Sequence, residues 1–197
     1  MKKIFKSPVG QEETISNFRR EIYDENEYDN FGVKVEKGDI VLDCGANVGI
    51  FSQYAIDMGA SLVYAYESDE LNEKYYIDNV ETDKSIFTRG YVGHNNYDLE
   101  KIFNQHQINH IDFAKVDIEG AEWEMFKNID INYFNLVDKW AIEFHTSYYN
   151  ENTDDKNKAN RLWDFLSILE IFSSNNYKIY YKHIHKGWDI VHLYAKK

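Results

Sequence analysis

Two hydrophobic rhythms alternate along the chain. Short, nearly continuous apolar runs are followed by stretches whose apolar positions recur every three or four residues, the pattern of buried strands and amphipathic helices in turn. Ile15, Phe18 and Ile22 predict a short helix capped near Gln11 or Thr14. Strands are expected at 40–43, 61–66, 85–88 (extending toward Val92), 111–116 and 137–144. Helices are expected at 49–58, closed by Gly59, at 69–79 with Ser68 as N-cap, from Asp98 onward, at 121–126 and at 156–173. The inward stripe of the last helix reads as Leu162, Phe165, Leu166, Leu169 and Phe172. Two alternating segments, 177–185 and 188–195, flank Lys186-Gly187 and predict a hairpin. No linker, repeat or low-complexity stretch interrupts this order, so one domain over 1–197 is expected, with 1–31 as an N-terminal cap segment or part of a lid.

The first strand runs into Asp43-Cys44-Gly45-Ala46-Asn47-Val48-Gly49 and then into a helix. Strand, small-residue turn and helix make the opening unit of a nucleotide-binding α/β sheet. The run lacks the three glycines of the dinucleotide fingerprint and places an acid at its start. A pyrophosphate would be poorly served by that carboxylate. A cationic cofactor without phosphate, S-adenosyl-L-methionine (SAM), would be well served. Glu67 ends the second strand, the position from which a carboxylate about 20 residues on accepts ribose hydroxyls. Ser68 stands beside it, and Gly90-Tyr91-Val92, after the third strand, would flank the adenine ring.

Two further clusters carry chemistry. Lys115-Val116-Asp117-Ile118-Glu119-Gly120-Ala121-Glu122 closes the fourth strand at the edge where open sheets bind ligands. Asp117 and Glu119 could orient a hydroxyl, take its proton or hold a cation; Glu122 reads equally well as compensation of a helix dipole. Glu143 and His145 close the fifth strand and share one face by the period of two, which puts them near Asp117. His145 is the first candidate for a base near neutral pH, with Asp117 second; a hydrogen-bonded structural role for His145 is about equally supported. The other histidines, His192 among them, show no zinc-type spacing and read as surface or core-edge residues.

Composition narrows the picture. A net charge of −12 with no basic cluster disfavours nucleic acid and anionic membranes as partners. The single Cys44 permits no internal disulfide, consistent with a reducing, cytoplasmic setting. No apolar run approaches a membrane span and no signal peptide is visible. An exposed hairpin edge could pair between subunits, so a homo-oligomer is an expected partner state.

Five α/β units closed by an antiparallel hairpin describe a Rossmann-like class I methyltransferase sheet better than a dinucleotide one. The segments 43–49, Glu67, 115–122 and Ile142-Glu143-Phe144-His145 together resemble the FkbM family of SAM-dependent methyltransferases. The resemblance covers about Phe31 to His145, and its most specific part is the Asp117-x-Glu119-Gly120-x-Glu122 run. It implies a mostly parallel seven-stranded sheet of order 3-2-1-4-5-7-6 with helices on both faces. It also implies O-methylation of a hydroxyl on a sugar, glycan or small metabolite, with S-adenosyl-L-homocysteine as product. The resemblance implies SAM contacts at Asp43, Gly45, Asn47 and Glu67 and does not fix the base; with Ala46, Gly49, Ser68, Tyr91 and Asp117 these make the expected cofactor set, and the catalytic candidates are His145, Asp117 and Glu119. Two rivals remain: a metal-assisted enzyme with Asp117, Glu119 and Glu143 around Mg²⁺, and a SAM-binding interaction module without turnover. The stretch between the third and fourth strands carries Asn96-Tyr97-Asp98-Leu99 where the family commonly has a Thr-Leu-Asp run.

Overall fold

Seven strands form one sheet in the order β3-β2-β1-β4-β5-β7-β6. They are β1 (Ile40–Cys44), β2 (Leu62–Glu67), β3 (Ser85–Arg89), β4 (Ile111–Val116), β5 (Val137–His145), β6 (Lys178–His183) and β7 (Ile190–Lys196). The computed structural model describes residues 3–93, 97–145, 155–183 and 190–197, with the side chains of 155–162 and 183 left out. The first five strands are parallel, and β7 lies antiparallel between β5 and β6. This is the class I methyltransferase arrangement expected from the sequence.

Alternation along the strands sends side chains into two cores. Leu42, Ala114, Ile142 and Leu193 face one side, where α4 (Leu99–His106), α5 (Glu122–Lys127), α6 (Ile131–Phe134) and α7 (Asp155–Ser174) pack. Val41, Phe113, Ala141 and Tyr194 face the other, beneath α1 (Glu12–Tyr23), α2 (Ile50–Asp57) and α3 (Glu70–Asn79). Burial on both faces explains why β1, β2 and β4 read as continuous apolar runs. The segment after α1 runs back over the second core, with Tyr28, Val33 and Val35 buried in it.

Several expectations need correction. Asp69, not Ser68, caps α3: its carboxylate accepts from the Leu71 N–H at 2.8 Å. β3 stops at Arg89, and Val92 makes only an isolated bridge to Tyr97. The one-turn α6, capped by Asp130, was not foreseen. On α7, Ile168 and Phe172 are buried, whereas Leu166 is 44% exposed; the Leu162 side chain and the Lys186-Gly187 turn lie outside the described residues.

Candidate functional site

The C-terminal ends of β1, β2, β4 and β5 meet at one edge of the sheet. Parallel register places Asp43 of β1 opposite Lys115 of β4. Asp43 is 0% exposed. One of its oxygens accepts from Ser52 Oγ at 2.6 Å, and the other lies 3.4 Å from Lys115 Nζ. Lys115 in turn donates to the Gly45 carbonyl at 2.7 Å and lies 3.5 Å from Asp117. Burial works against the charge on Lys115, but Asp117, Asp43 and Glu143 outweigh it and hold its pKa above the ordinary value. The cation that Asp43 was expected to meet in a cofactor is supplied by the protein itself.

The turn that follows is packed tightly. At Gly45, with φ +85°, a Cβ would stand 1.7 Å from the Asp117 carbonyl oxygen; at Gly49 it would stand 2.3 Å from Val80. The glycines admit neighbouring chain here, and a ligand meets the turn at Gly45, Ala46 and Asn47. Glu67 braces it: one oxygen accepts from the Asn47 N–H and the other from the Asp69 N–H, each at 2.7 Å.

A cleft of about 560 Å³ opens above this edge. One end is lined by Gly45, Ala46, Asn47, Glu67, Ser68 and Tyr91; the other by Asp117, Glu119, Glu143, His192, Glu27 and Tyr28. Residues of α1 and the following turn, including Phe18 and Glu25, complete the mouth. The expected N-terminal cap therefore forms a wall of the cleft.

The second end is dense in ionisable groups. Tyr28 Oη lies 2.9 Å from Asp117 and 3.3 Å from Glu143, donating its single proton between them. His145 Nε2 lies 3.5 Å from Glu143, 3.5 Å from Glu119 and 3.9 Å from Asp117. Its Nδ1 is 3.1 Å from Glu122, which is wholly buried and also accepts from the Ile118 and Gly120 N–H groups. Glu122 thus anchors the 118–120 turn and orients His145, a larger role than dipole compensation. His192, on β7 directly opposite Glu143 of β5, brings Nε2 to 2.9 Å from that carboxylate.

These contacts set the charges. Burial resists protonation of His145, but the Glu122 hydrogen bond, with Asp117 and Glu143, raises its pKa to about 9. Burial would raise Asp117 as well, yet Lys115 and His145 overcome it and keep its pKa below the ordinary value. Glu143 is pushed up to about 8 by burial and by the Asp117 charge. Burial lowers His192 to about 4 and lifts Glu27 to about 7. At neutral pH, Asp117 is ionised and His145 is a cation.

Of the residues singled out in the sequence, Gly45, Ala46, Asn47, Glu67, Ser68, Tyr91, Asp117 and Glu119 line the cleft. Asp43 and Gly49 lie beneath it, and His145 stands behind Asp117 and Glu143. Sequence reasoning gave no role to Lys115, Tyr28 or Glu27 and placed His192 at a core edge; it is 1% exposed and lines the cleft. The alternation of β7 was legible, but its register against β5 was not.

The methyltransferase FkbM domain matches residues 12–179. The chain belongs to the FkbM methyltransferase family. Among solved structures, the FkbM methyltransferase of Methylobacillus flagellatus is 20% identical, with a TM-score of 0.56 over 84% of this chain and 46% of that one. A candidate RNA methyltransferase of Pyrococcus horikoshii is 18% identical, with a TM-score of 0.53 over 99% and 93%. The Aeropyrum pernix fibrillarin, solved with natively bound SAM, is 14% identical, with a TM-score of 0.56 over 86% and 71%. At these identities the likeness is one of fold. No curated protein sequence matches the chain. An FkbM-family methyltransferase with this sheet carries its cleft at the strand ends where α/β sheets take ligands.

Proposed function

We propose that this FkbM-family protein binds SAM at the glycine-turn end of the cleft and methylates a hydroxyl oxygen of a sugar or small metabolite at the carboxylate end. The observation that carries the reading is one continuous cleft joining the 45–47 turn and Glu67 to ionised Asp117. Bound there, SAM would supply the methyl group, with the S–CH₃ bond exchanged for the new O–CH₃ bond and S-adenosyl-L-homocysteine released. The residues fit that group. Glu67 is held rigid by two backbone N–H groups, and each of its oxygens keeps a lone pair for a ribose hydroxyl. Asp43 acts from below: by fixing Lys115 on the Gly45 carbonyl it sets the shape of the turn.

The acceptor hydroxyl is a weak nucleophile and must lose its proton as the new bond forms. Asp117 serves this step better than His145, because it lines the cleft and is ionised while His145 already carries a proton. His145 then holds Asp117 in its charged form, and Tyr28 orients it. Positioning of the hydroxyl in line with the methyl group supplies much of the rate. Mg²⁺ on Asp117, Glu119 and Glu143 is less well supported, since the Glu119 side chain is 68% exposed.

Calorimetric titration of the full chain with SAM tests the reading. Saturable binding, weakened about tenfold by Glu67→Gln through roughly 1.4 kcal/mol of lost hydrogen bonding, is the expected result. A folded protein that gives no heat with SAM overturns it. Asp117→Asn should retain SAM and lose roughly 10²–10⁴ in turnover once an acceptor is in hand.

A further inference from the structure

Two histidines at the carboxylate end, His192 lining the cleft and His145 behind it, bring their Nε2 atoms near opposite oxygens of Glu143. The hydroxyl of Tyr194 donates to the Glu27 main-chain carbonyl, so its oxygen is left to accept from His192 Nδ1 at 3.2 Å. The proton of this imidazole therefore sits on Nδ1, and Nε2 carries a lone pair. That Nε2 is buried and makes no hydrogen bond, yet it stands 2.9 Å from Glu143 Oε2 and 3.9 Å from Glu27 Oε1. A lone pair facing two carboxyl groups calls for a proton or a metal ion between them, and because Nε2 forms no hydrogen bond to Glu143 the ion is the better fit. The 2.9 Å separation matches two adjacent ligands of one ion, each about 2.1 Å from it and roughly 3.0 Å from each other.

We propose that Glu27, Glu143 and His192 bind a divalent transition-metal ion in the cleft, flanked by Asp117 and His145. The ligand atoms of Glu27, Glu143 and His192 all lie within 4.8 Å of one another, and those of Asp117, Glu143 and His145 form a second such group. Glu143 is the shared member. Its Oε1 faces His145 Nε2 at 3.5 Å while its Oε2 faces His192. His192, the imidazole ligand, has its Nδ1 held from behind by Tyr194. Such outer hydrogen bonds orient metal-binding imidazoles. The donor set of imidazole nitrogen and carboxylate oxygen suits Mn²⁺, Co²⁺ or Zn²⁺; Mg²⁺ prefers oxygen alone.

The ion's chemical role rests on the methyl-transfer reading, whereas its binding does not. Next to Asp117, it would coordinate the acceptor hydroxyl and lower that hydroxyl's pKa, easing departure of the proton. The acceptor class favoured by this arrangement is a sugar or polyol able to present its hydroxyl to the ion.

The test uses the full chain, stripped with a chelator and titrated with Co²⁺ in the absence of SAM and acceptor, read by calorimetry and by visible absorption. The expected result is saturable Co²⁺ binding, competed by Mn²⁺ and Zn²⁺ and at least about tenfold weaker for Mg²⁺. His192→Gln and Glu27→Gln should each weaken Co²⁺ by at least about tenfold. His110→Gln, in the half-buried His110–Asp112–Asp138 group at the other end of the strands, should leave it unchanged. Glu27 is the more exposed ligand, so Glu27→Gln decides the matter if His192→Gln does not fold. No Co²⁺ binding up to about 1 mM by folded protein overturns the proposal. So does binding that survives Glu27→Gln or that vanishes with His110→Gln. Titration of the same samples with SAM separates this failure from failure of the methyl-transfer reading.

Discussion

Gly45 and Lys115 carry the greatest consequence for their size. The backbone at Gly45 is left-handed, and the Asp117 carbonyl oxygen lies 1.7 Å from where a Cβ would stand, so no side chain fits. Neither neighbour can yield, because both are backbone pinned at strand ends, where the Asp117 N–H donates to the Cys44 carbonyl at 3.0 Å. Gly45→Ala should cost roughly 3 kcal/mol or more, read as a lowered urea midpoint, and should shrink the cleft in whatever folds. Lys115 is the counter-charge of a wholly buried Asp43. Lys115→Met leaves that carboxylate unpaired and should cost about 3–5 kcal/mol. Adding Asp43→Asn removes the stranded charge, so the double variant should be more stable than Lys115→Met alone. A chemical-denaturation cycle over the four proteins measures this coupling. The sequence showed the acid at the strand tip. It did not show the lysine, because the register between β1 and β4, far apart along the chain, is set by packing across the sheet.

At the scale of elements, periodicity was enough wherever a segment buries one or both faces over several residues. β1, β2, β4, α2 and α4 fall where their apolar patterns put them. The one-turn α6 is too short to show a period, and it exists because Asp130 caps it and Phe134 inserts between Trp140 and Phe172. Leu166 and Ile168 exchange places on α7 because several apolar positions compete for one stripe, and only the facing surface decides between them. That surface is aromatic: Phe172 meets Phe126, Phe134, Trp140 and Tyr177. Phe172→Ala should cost about 3–5 kcal/mol in a denaturant melt while leaving SAM affinity unchanged, since Phe172 packs among the aromatic side chains between α7 and the sheet and does not line the cleft. α4 also carries a pH response. His106 packs on Tyr64 and Tyr66 and bonds the Tyr66 hydroxyl at 2.9 Å, and burial lowers its pKa. The unfolded chain therefore takes up this proton more readily than the folded one. Stability on this account is undiminished above the ordinary histidine pKa of about 6.5 and declines as pH falls below it. His106→Gln should flatten that acid-side decline, seen as a smaller drop in urea midpoint between about pH 7.5 and 5.5 than in the parent.

For the whole molecule, the deciding quantity is the sign of the field around the cleft. Structures of this fold include one described as a candidate RNA methyltransferase, and the fold by itself does not choose among acceptors. The chain carries a net charge of −12. The cleft repeats that sign: Glu21, Glu25, Glu67, Asp117 and Glu119 face it against Arg20 and Lys115, while burial keeps Glu27 and Glu143 partly protonated near neutral pH. Neither cation is free to meet a phosphate, since Arg20 pairs with Glu25 at 3.1 Å and Lys115 with Asp43 and Asp117. Nucleic-acid binding draws most of its affinity from cations that replace condensed counterions, and a surface like this one supplies repulsion instead. A polyanion would have to enter a negative cleft to reach the methyl group, while a neutral sugar or polyol meets no such barrier. The expected outcome is that a fluorescent RNA hairpin shows no anisotropy change with the full chain at protein concentrations up to about 10⁻⁴ M at physiological salt, where ordinary nonspecific binders already saturate. Repeating the titration at low ionic strength sharpens the test. There, any basic binding face would tighten its hold steeply, and the acidic cleft should give no rise at all.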